Sequence, residues 1–331
     1  MKLLKQVLRW SITLSTLVIL LLGLAAEVVR DISVFWALCL YIPLLPFGLW
    51  AVAWDVSWRG KSLIVPYSLT VIGLIAASIH TYQSFHVHFP QPIPDNQHSI
   101  RLLHWNTLWG GKYSFSNQPH LNTWDGLQEK IVQQQPDIIV LSEPPQDNRL
   151  HQLAEQLGDD WSIISFEPAQ TCNRCIVMFS VLSPYPMERE RYSNPRNGNG
   201  FIIRIEMPQK TFRLLVVDGA SKYDQLRSPF LQDTYQTVVE QHEKQEPIDV
   251  IAGDFNSIRR AQGFDNYPTM GDGYWLAGEK TIGWRGTWKS YLPLFDIDHV
   301  WVSQIYKPIY TTFLFDSASD HRGQLVEFYE Q

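Results

Sequence analysis

The sequence predicts a mixed α/β (α+β) domain of about 230 residues, layered from sheet and helix and carried behind a membrane segment of three helices. Three observations predict it. From Ser99 onward, short apolar runs of strand character alternate with stretches of helical spacing. No charge interrupts the chain between Arg9 and Glu27, between Asp31 and Asp55, or from Ser62 to Ile79. Charge is also unevenly shared. The 331 residues carry a net charge of -6, but all except six of the 27 Lys and Arg and all except four of the 33 Asp and Glu follow residue 100, leaving that part at a formal -8. Such a domain is poorly suited to gripping long duplex DNA, because that affinity comes from Lys and Arg neutralising phosphates. A local basic groove stays open.

Each uncharged run approaches the ~20 apolar residues that a membrane-spanning helix needs. Three transmembrane helices are therefore expected within residues 1–82, with the lipid bilayer as partner. Trp10, Trp36, Trp50, Trp54, Trp58, Tyr67 and Tyr82 fall partly near the run ends, where amphipathic rings sit. Pro43 and Pro46 predict a bend in the second run. A cleaved signal peptide competes for the first run, since Lys2, Lys5 and Arg9 form a basic start and Ala25-Ala26 a small-residue end; the two further runs favour an uncleaved anchor. Arg59 and Lys61 between the second and third runs, with Lys2, Lys5 and Arg9 before the first, place the amino terminus in the cytoplasm. The expected location is the cytoplasmic membrane, multi-pass, with the domain from residue 100 on the outer side.

Residues 83–99 read as a Pro-rich linker, because Pro90, Pro92 and Pro94 favour extended polyproline geometry. His86, His88 and His98 read there as solvated residues rather than a metal site. Beyond the linker, strand character is found at 100–105, 137–142, 161–166, 175–181, 201–207, 212–217, 248–252, 297–302 and 324–328. Helical spacing is found at 124–135, 149–157 and 229–244. Cysteines are few. Cys39 lies in the second run, while Cys172 and Cys175 allow a disulfide outside the cytoplasm. A redox motif fits less well, since Cys175 opens a strand-like run, and zinc would need a second pair.

Several strand-like runs end in a residue able to bind metal or phosphate. Leu102 to Trp105 ends in Asn106, and Asp137 to Ser142 ends in Glu143. Pro247 to Val250 leads into Ile251-Ala252-Gly253-Asp254-Phe255-Asn256-Ser257. Period-two alternation there puts Val250, Ala252 and Asp254 on one face and Ile251, Gly253 and Phe255 on the other. A carboxylate so placed can deprotonate water, and an amide can donate to developing negative charge. Phe295-Asp296-Ile297-Asp298-His299 and Ser319-Asp320-His321 add two acid-histidine pairs. Singly each has a plain account as cap, turn or outward strand residue.

Taken together, Leu103-His104-Trp105-Asn106, Pro136 to Glu143, Ile251 to Ser257, Gly286-Thr287-Trp288, Ile297-Asp298-His299-Val300 and Ser319-Asp320-His321 resemble the endonuclease/exonuclease/phosphatase superfamily, from about residue 100 to the end. The resemblance implies a four-layered α/β/β/α sandwich of the DNase I-like type, and Mg2+ as cofactor with Mn2+ as substitute. It implies Glu143 as principal metal ligand with Asn106 beside it and Asp320 near the metal. It implies Asp254 as the residue that orients or deprotonates water, Asn256 as a phosphate contact, His321 as contact or proton donor to phosphoryl oxygens, and Asp298 as the partner that orients a histidine. Phosphodiester or phosphomonoester hydrolysis follows, on nucleic acid, phospholipid or another phosphorylated small molecule.

One departure matters. Where many members place a histidine, this chain reads Val216-Val217-Asp218-Gly219-Ala220-Ser221, with Ala220 in the histidine's position. Asp218, Ser221, Lys222 and Tyr223 are the residues able to substitute. The alternative is a catalytically impaired membrane binding or scaffold protein that retains the fold. Trp275, Trp284 and Trp288, with Arg285 and Lys289 between them, suggest a stacking or headgroup platform, against ordinary packing. Asn197-Gly198-Asn199-Gly200 reads as a turn, since no helix start follows it.

Overall fold

The computed structural model describes residues 2–57, 68–111, 124–166, 178–190, 195–222 and 224–331. It divides into two units, the first running to Phe85 and the second taking up most of the chain from His86 onward. Trp58, Arg59, Lys61, Tyr67, Cys172, Cys175 and Tyr223 lie outside the described residues.

The first unit is helical: α1 (Lys2–Val29), α2 (Val34–Leu40), α3 (Leu44–Ser57) and α4 (Ser68–Ser84). Leu20, Leu44, Ala51, Leu69 and Ala76 form its core. A Cβ on Gly48 would lie 2.3 Å from the Gly73 carbonyl oxygen, and one on Gly73 would lie 2.6 Å from that of Gly48. Backbone thus meets backbone between α3 and α4, the close approach that small residues permit between membrane helices.

The expectation of three spans is corrected here. Among the described residues one helix, α1, is long and apolar enough to cross a membrane alone. The second apolar run breaks into α2 and α3, bent by 64°, and qualifies only if the pair counts as one span. Pro43 explains the break, because it has no N–H to continue the helical ladder. The third run is described from Ser68 onward, as α4. A run free of charge is not a run of unbroken helix, and counting the first overcounts the second.

The second unit is built on two six-stranded sheets. One has the order β10-β12-β9-β8-β7-β6 and the other β13-β14-β2-β3-β5-β4. The strands of the first are β6 (Met187–Glu190), β7 (Gly198–Glu206), β8 (Thr211–Gly219), β9 (Val250–Asp254), β10 (Tyr274–Leu276) and β12 (Asp298–Ser303). Those of the second are β2 (Ser99–Asn106), β3 (Ile138–Ser142), β4 (Ser162–Phe166), β5 (Phe179–Ser183), β13 (Tyr306–Leu314) and β14 (Gly323–Glu330). A short pair, β1 (Phe85–Val87) with β11 (Ile282–Trp284), stands apart.

Alternation along each strand decides the layers. Leu102, Val140, Val181, Leu214, Val216, Val250, Ala252, Val300 and Val326 face one another between the sheets. The opposite parity of β2 and β3, Leu103, Trp105, Ile139 and Leu141, is covered by α5 (Trp124–Gln133) and α6 (Asp147–Leu157) through Leu127, Ile131, Leu150 and Leu153. On the far face of the other sheet, α7 (Ser228–Glu243) brings Phe230 against Phe255, with ring centroids 6.0 Å apart. Helix, sheet, sheet and helix are therefore stacked as the sequence resemblance implied.

Five of the expected strands, β2, β7, β8, β9 and β14, run further than expected at the end that carries Asn106 and Asp254, and five strands were not expected at all: β1, β6, β10, β11 and β13. β6, β10 and β13 are edges. β6 is Met187-Glu188-Arg189-Glu190, and β13 carries Pro308 with an irregularity in register between Pro308 and Tyr310. Charge, brevity and proline are what edge strands use to avoid further pairing, and they also erase the alternation by which a strand is recognised. His88, placed in the linker, donates its backbone N–H to Thr281 O at 2.9 Å, so this stretch is held against the second unit rather than free in water.

Candidate active site

The inter-sheet core and the polar cleft are the same surface read further along. On β7, β8, β9 and β12 the inward series are Ile203-Phe201, Leu214-Val216, Val250-Ala252 and Val302-Val300. Two residues on, the same parity delivers Asn199, Asp218, Asp254 and Asp298. Register aligns them: Asn199 opposes Asp218, Asp218 opposes Asp254, and Asp254 opposes Asp298. The result is a row of one amide and three carboxyls across four adjacent strands. From the other sheet, Leu102 and Val140 lead by the same step to His104, Asn106 and Ser142, with Asn106 opposite Ser142.

Two hydrogen bonds join the sheets at this level. Asn106 Nδ2 donates to Asp254 Oδ2 at 3.0 Å, and His321 Nδ1 donates to Asp298 Oδ2 at 2.7 Å. Gln324 Nε2 adds a third link to Asp298 O at 2.8 Å. Each partner is oriented from behind. Leu108 N–H donates to Asn106 Oδ1 at 3.0 Å and Asn256 N–H to Asp254 Oδ1 at 2.8 Å, while Thr287 Oγ1 accepts from the backbone of Ile297 and Asp298. His321 N–H donates to Ser319 Oγ, whose hydroxyl donates to Asn106 O.

Glu143 sits one residue past β3 with φ at 45°. Its N–H donates to Met178 O, and its carbonyl accepts from Thr107 Oγ1 and Trp109 N–H, which holds an otherwise unfavourable conformation. Asn256 also has positive φ, 47°, and its side chain donates to Gly219 O at 2.8 Å. Asp320 Oδ2 accepts from Trp288 Nε1 at 3.1 Å, with His321 Nε2 at 3.9 Å from Oδ1.

Charge is concentrated and poorly solvated. Burial raises the Glu143 carboxyl, with Asp320 and Asp298 adding to the shift and His321 opposing it. Burial, then repulsion from Asp298, pushes Asp254 up to about 7. Asp218 lies well above the ordinary carboxylate range, first through burial and then through Asp254 and Glu143. Asp298 goes the other way: burial opposes ionisation, but the His321 cation and its hydrogen bond hold the carboxyl below its usual value. His321 in turn, despite burial, is raised to about 10 by Asp298. It is an imidazolium at neutral pH with Nδ1 committed and Nε2 facing the cleft. His104, wholly buried beneath with Nε2 at 3.1 Å from Ser142 Oγ, is lowered to about 4 and stays neutral.

A divalent cation fits these residues. Oxygen donors dominate, three carboxyls have ionisation disfavoured by burial and by one another, and Asp320 Oδ1 is buried without a hydrogen-bond partner. Ligand atoms of Asp254, Asp298 and His321 also lie within 4.8 Å of one another, although His321 Nδ1 is spent on Asp298.

The structure thus brings Asn106, Glu143, Asp254, Asn256, Asp298, Asp320 and His321 to one cleft. It sends His299 elsewhere: Nε2 donates to Ser257 O at 2.7 Å, among Phe255 and Phe264 on the helix side. Trp275 also lies away, its Nε1 donating to Tyr306 O, whereas Trp288 reaches the site through Asp320. Sequence reasoning left Asp218 as one of four substitutes and read Asn199 as part of a turn. The signal was present, since both lie two residues beyond an inward apolar position.

A family model for the endonuclease/exonuclease/phosphatase family matches residues 103–321. The chain belongs to this family and is a hydrolase acting on phosphoester bonds. Similar solved structures include the human Nocturnin catalytic domain with bound sulfate, at 15% identity and TM-score 0.51, covering 73% of this chain and 100% of that one. A family protein from Bacteroides thetaiotaomicron matches at 15% identity and TM-score 0.52, covering 71% and 99%. TDP2 from D. rerio, complexed with a single-strand DNA product, matches at 14% identity and TM-score 0.51, covering 70% and 98%. At these identities the likeness is one of fold. No curated protein matches the chain.

Proposed function

We propose that this protein is a membrane-attached, divalent-cation-dependent phosphoesterase. The observation that carries the reading is the pair of cross-sheet hydrogen bonds, Asn106 to Asp254 and His321 to Asp298, which set a carboxylate and an imidazolium within 4.8 Å of each other where the two sheets meet. In this reading Glu143, Asn106 and Asp320 hold Mg2+, with Mn2+ as substitute. The cation neutralises charge on the phosphoryl oxygens when bound. Asp254, fixed by Asn106 and Asn256, orients a water and takes its proton. His321, kept charged by Asp298, donates from Nε2 to a phosphoryl oxygen or to the departing alcohol. Asn256 contributes its amide to phosphate binding. Asp218, beside Asp254, supplies a buried carboxyl where Ala220 supplies no polar group.

Attachment is assigned to α1. With α1 as the span, Lys2, Lys5 and Arg9 keep the amino terminus in the cytoplasm and direct the catalytic unit to the outer side. A reporter fused after Gln331 that is active only in the cytoplasm would overturn this orientation.

The test of the activity uses the full chain in detergent, with Mg2+, Mn2+ or EDTA, on single- and double-stranded DNA, RNA, bis(p-nitrophenyl) phosphate and phospholipids. Chelator-sensitive cleavage that disappears in Glu143→Ala and in Asp254→Ala, with both variants folded by circular dichroism, is expected. Turnover surviving both substitutions would sink the site assignment, and a folded, metal-loaded wild type with no turnover would favour the scaffold alternative.

A further inference from the structure

Exposed apolar side chains in the second unit are few and localised. Among the described residues from His86 onward, the large exposed ones fall only at 87–93, at 282–292 and at Phe315. None is on α5, α6 or α7. The most exposed pair near the site is Tyr291, 69% exposed, and Leu292, 54% exposed. They occupy the tip of a hairpin whose arms, Trp288 and Phe295, exchange backbone hydrogen bonds and whose turn is closed by Leu292 N–H to Lys289 O.

The base of this hairpin is fastened to the site. Trp288 Nε1 donates to Asp320 Oδ2, Ser290 N–H donates to Asp320 O, and Ser290 Oγ donates to Ser319 O. Trp288 also pairs with His321 in a backbone bridge. Lys289, half-exposed, places its ammonium 5.0 Å from the Trp288 ring centroid and 3.9 Å from Asp320 Oδ2. Phe315, 48% exposed, lies on the loop that leads to Asp320 and His321. An apolar tip, a cation at its root and Asp320-His321 are therefore neighbours in the fold.

Resting on the phosphoesterase reading above, we propose that the hairpin tip Tyr291-Leu292 enters the lipid bilayer and that the substrate is a membrane phospholipid, its phosphodiester drawn to the cleft beside Lys289. A projecting two-residue tip offers too little area for a stable protein interface, which needs about 800 Å² per partner. Tyrosine beside an aliphatic residue, with lysine behind, is the composition that seats at a membrane surface and meets anionic headgroups. The chain carries its own means of being there in α1. Hydrolysis balances without any further reagent: water oxygen bonds to phosphorus, the bond from phosphorus to one ester oxygen breaks, and that oxygen leaves as an alcohol with a proton.

The test uses the full chain in nanodiscs of phosphatidylethanolamine and phosphatidylglycerol, comparing wild type with Tyr291→Ser/Leu292→Ser. Phospholipid turnover is followed by mass spectrometry, alongside hydrolysis of water-soluble bis(p-nitrophenyl) phosphate. The proposal expects lipid turnover to fall about tenfold or more, given what burial of a leucine-sized side chain is worth, with reporter hydrolysis within about twofold of wild type. Unchanged lipid turnover in the variant overturns the tip's role. Reporter or single-stranded DNA cleavage without lipid turnover in the wild type overturns the substrate class, while leaving the phosphoesterase reading standing. Loss of both in the wild type indicates that the underlying reading has failed. A second readout needs no activity: a fluorophore at Leu292→Cys, with Cys39, Cys172 and Cys175 replaced by Ser, should be quenched by nitroxide-labelled acyl chains, whereas one at Gln152→Cys on α6 should not. Equal quenching at the two positions also overturns the proposal.

Discussion

At the scale of single residues, the site is a set of opposed protonation preferences. Asp298 and His321 stabilise each other's charge, so Asp298→Asn should leave His321 without its counter-ion. The expected outcome is a loss of kcat of about a hundredfold or more, with the alkaline limb of the pH profile moving down from near 10 toward the ~6.5 of an ordinary histidine. A profile whose limb stays in place would show that His321 does not donate the proton. Asp254 has the reverse character. Its folded pKa, about 7, lies above the ~3.9 of an unfolded aspartate, so its burial costs stability progressively as pH rises through that window. A bound cation removes the penalty and must displace the proton to do so. The rise in thermal midpoint on adding Mg2+ should therefore be larger at pH 8 than at pH 5.5, and an equal rise at both would count against Asp254 lying in the metal's field. Asp218 follows the same sign, so Asp218→Asn should raise the midpoint in EDTA at pH 8 but not at pH 4.

At the scale of elements, the strands β8 and β9 lie close because Gly253 lets them. A Cβ there would fall 1.8 Å from Val217 O, a backbone atom with no freedom to withdraw. Gly253→Ala should cost upwards of about 3 kcal/mol by overpacking, visible as a lower urea midpoint, and a substitution that leaves it unchanged would contradict the register. This is also where the sequence was most readable. Alternation along Val250 to Phe255 separated the two faces correctly, since Ala252 lies in the inter-sheet core and Phe255 meets Phe230 under α7. The central strands were visible because burial on both faces makes them continuously apolar. The edges β6, β10 and β13 were not, because charge, shortness and Pro308 hide their pattern. Asp218 was half-read for a related reason: nothing local says which polar residue after Val217 keeps the strand's parity until the strand's true end, Gly219, is known. The pairing of Asp298 with His321 instead of its neighbour His299 is a matter of strand parity too, and the sequence left the histidine that Asp298 orients unnamed.

At the scale of the whole molecule, an acidic catalytic unit follows an apolar helical one. The chain should stay with membranes through carbonate extraction and be released by detergent; release by carbonate alone would mean that α1 does not span. Bent at Pro43 and packed through Gly48 and Gly73, the remaining helices build on α1 rather than repeat it. Within the catalytic unit, Asn106, Glu143 and His321 come from one sheet and its loops, while Asp218, Asp254 and Asp298 come from the other. Neither sheet owns a working half. A chain whose sheets are misaligned by a single step has no chemistry to offer, so turnover in this protein doubles as an inspection stamp on its own assembly.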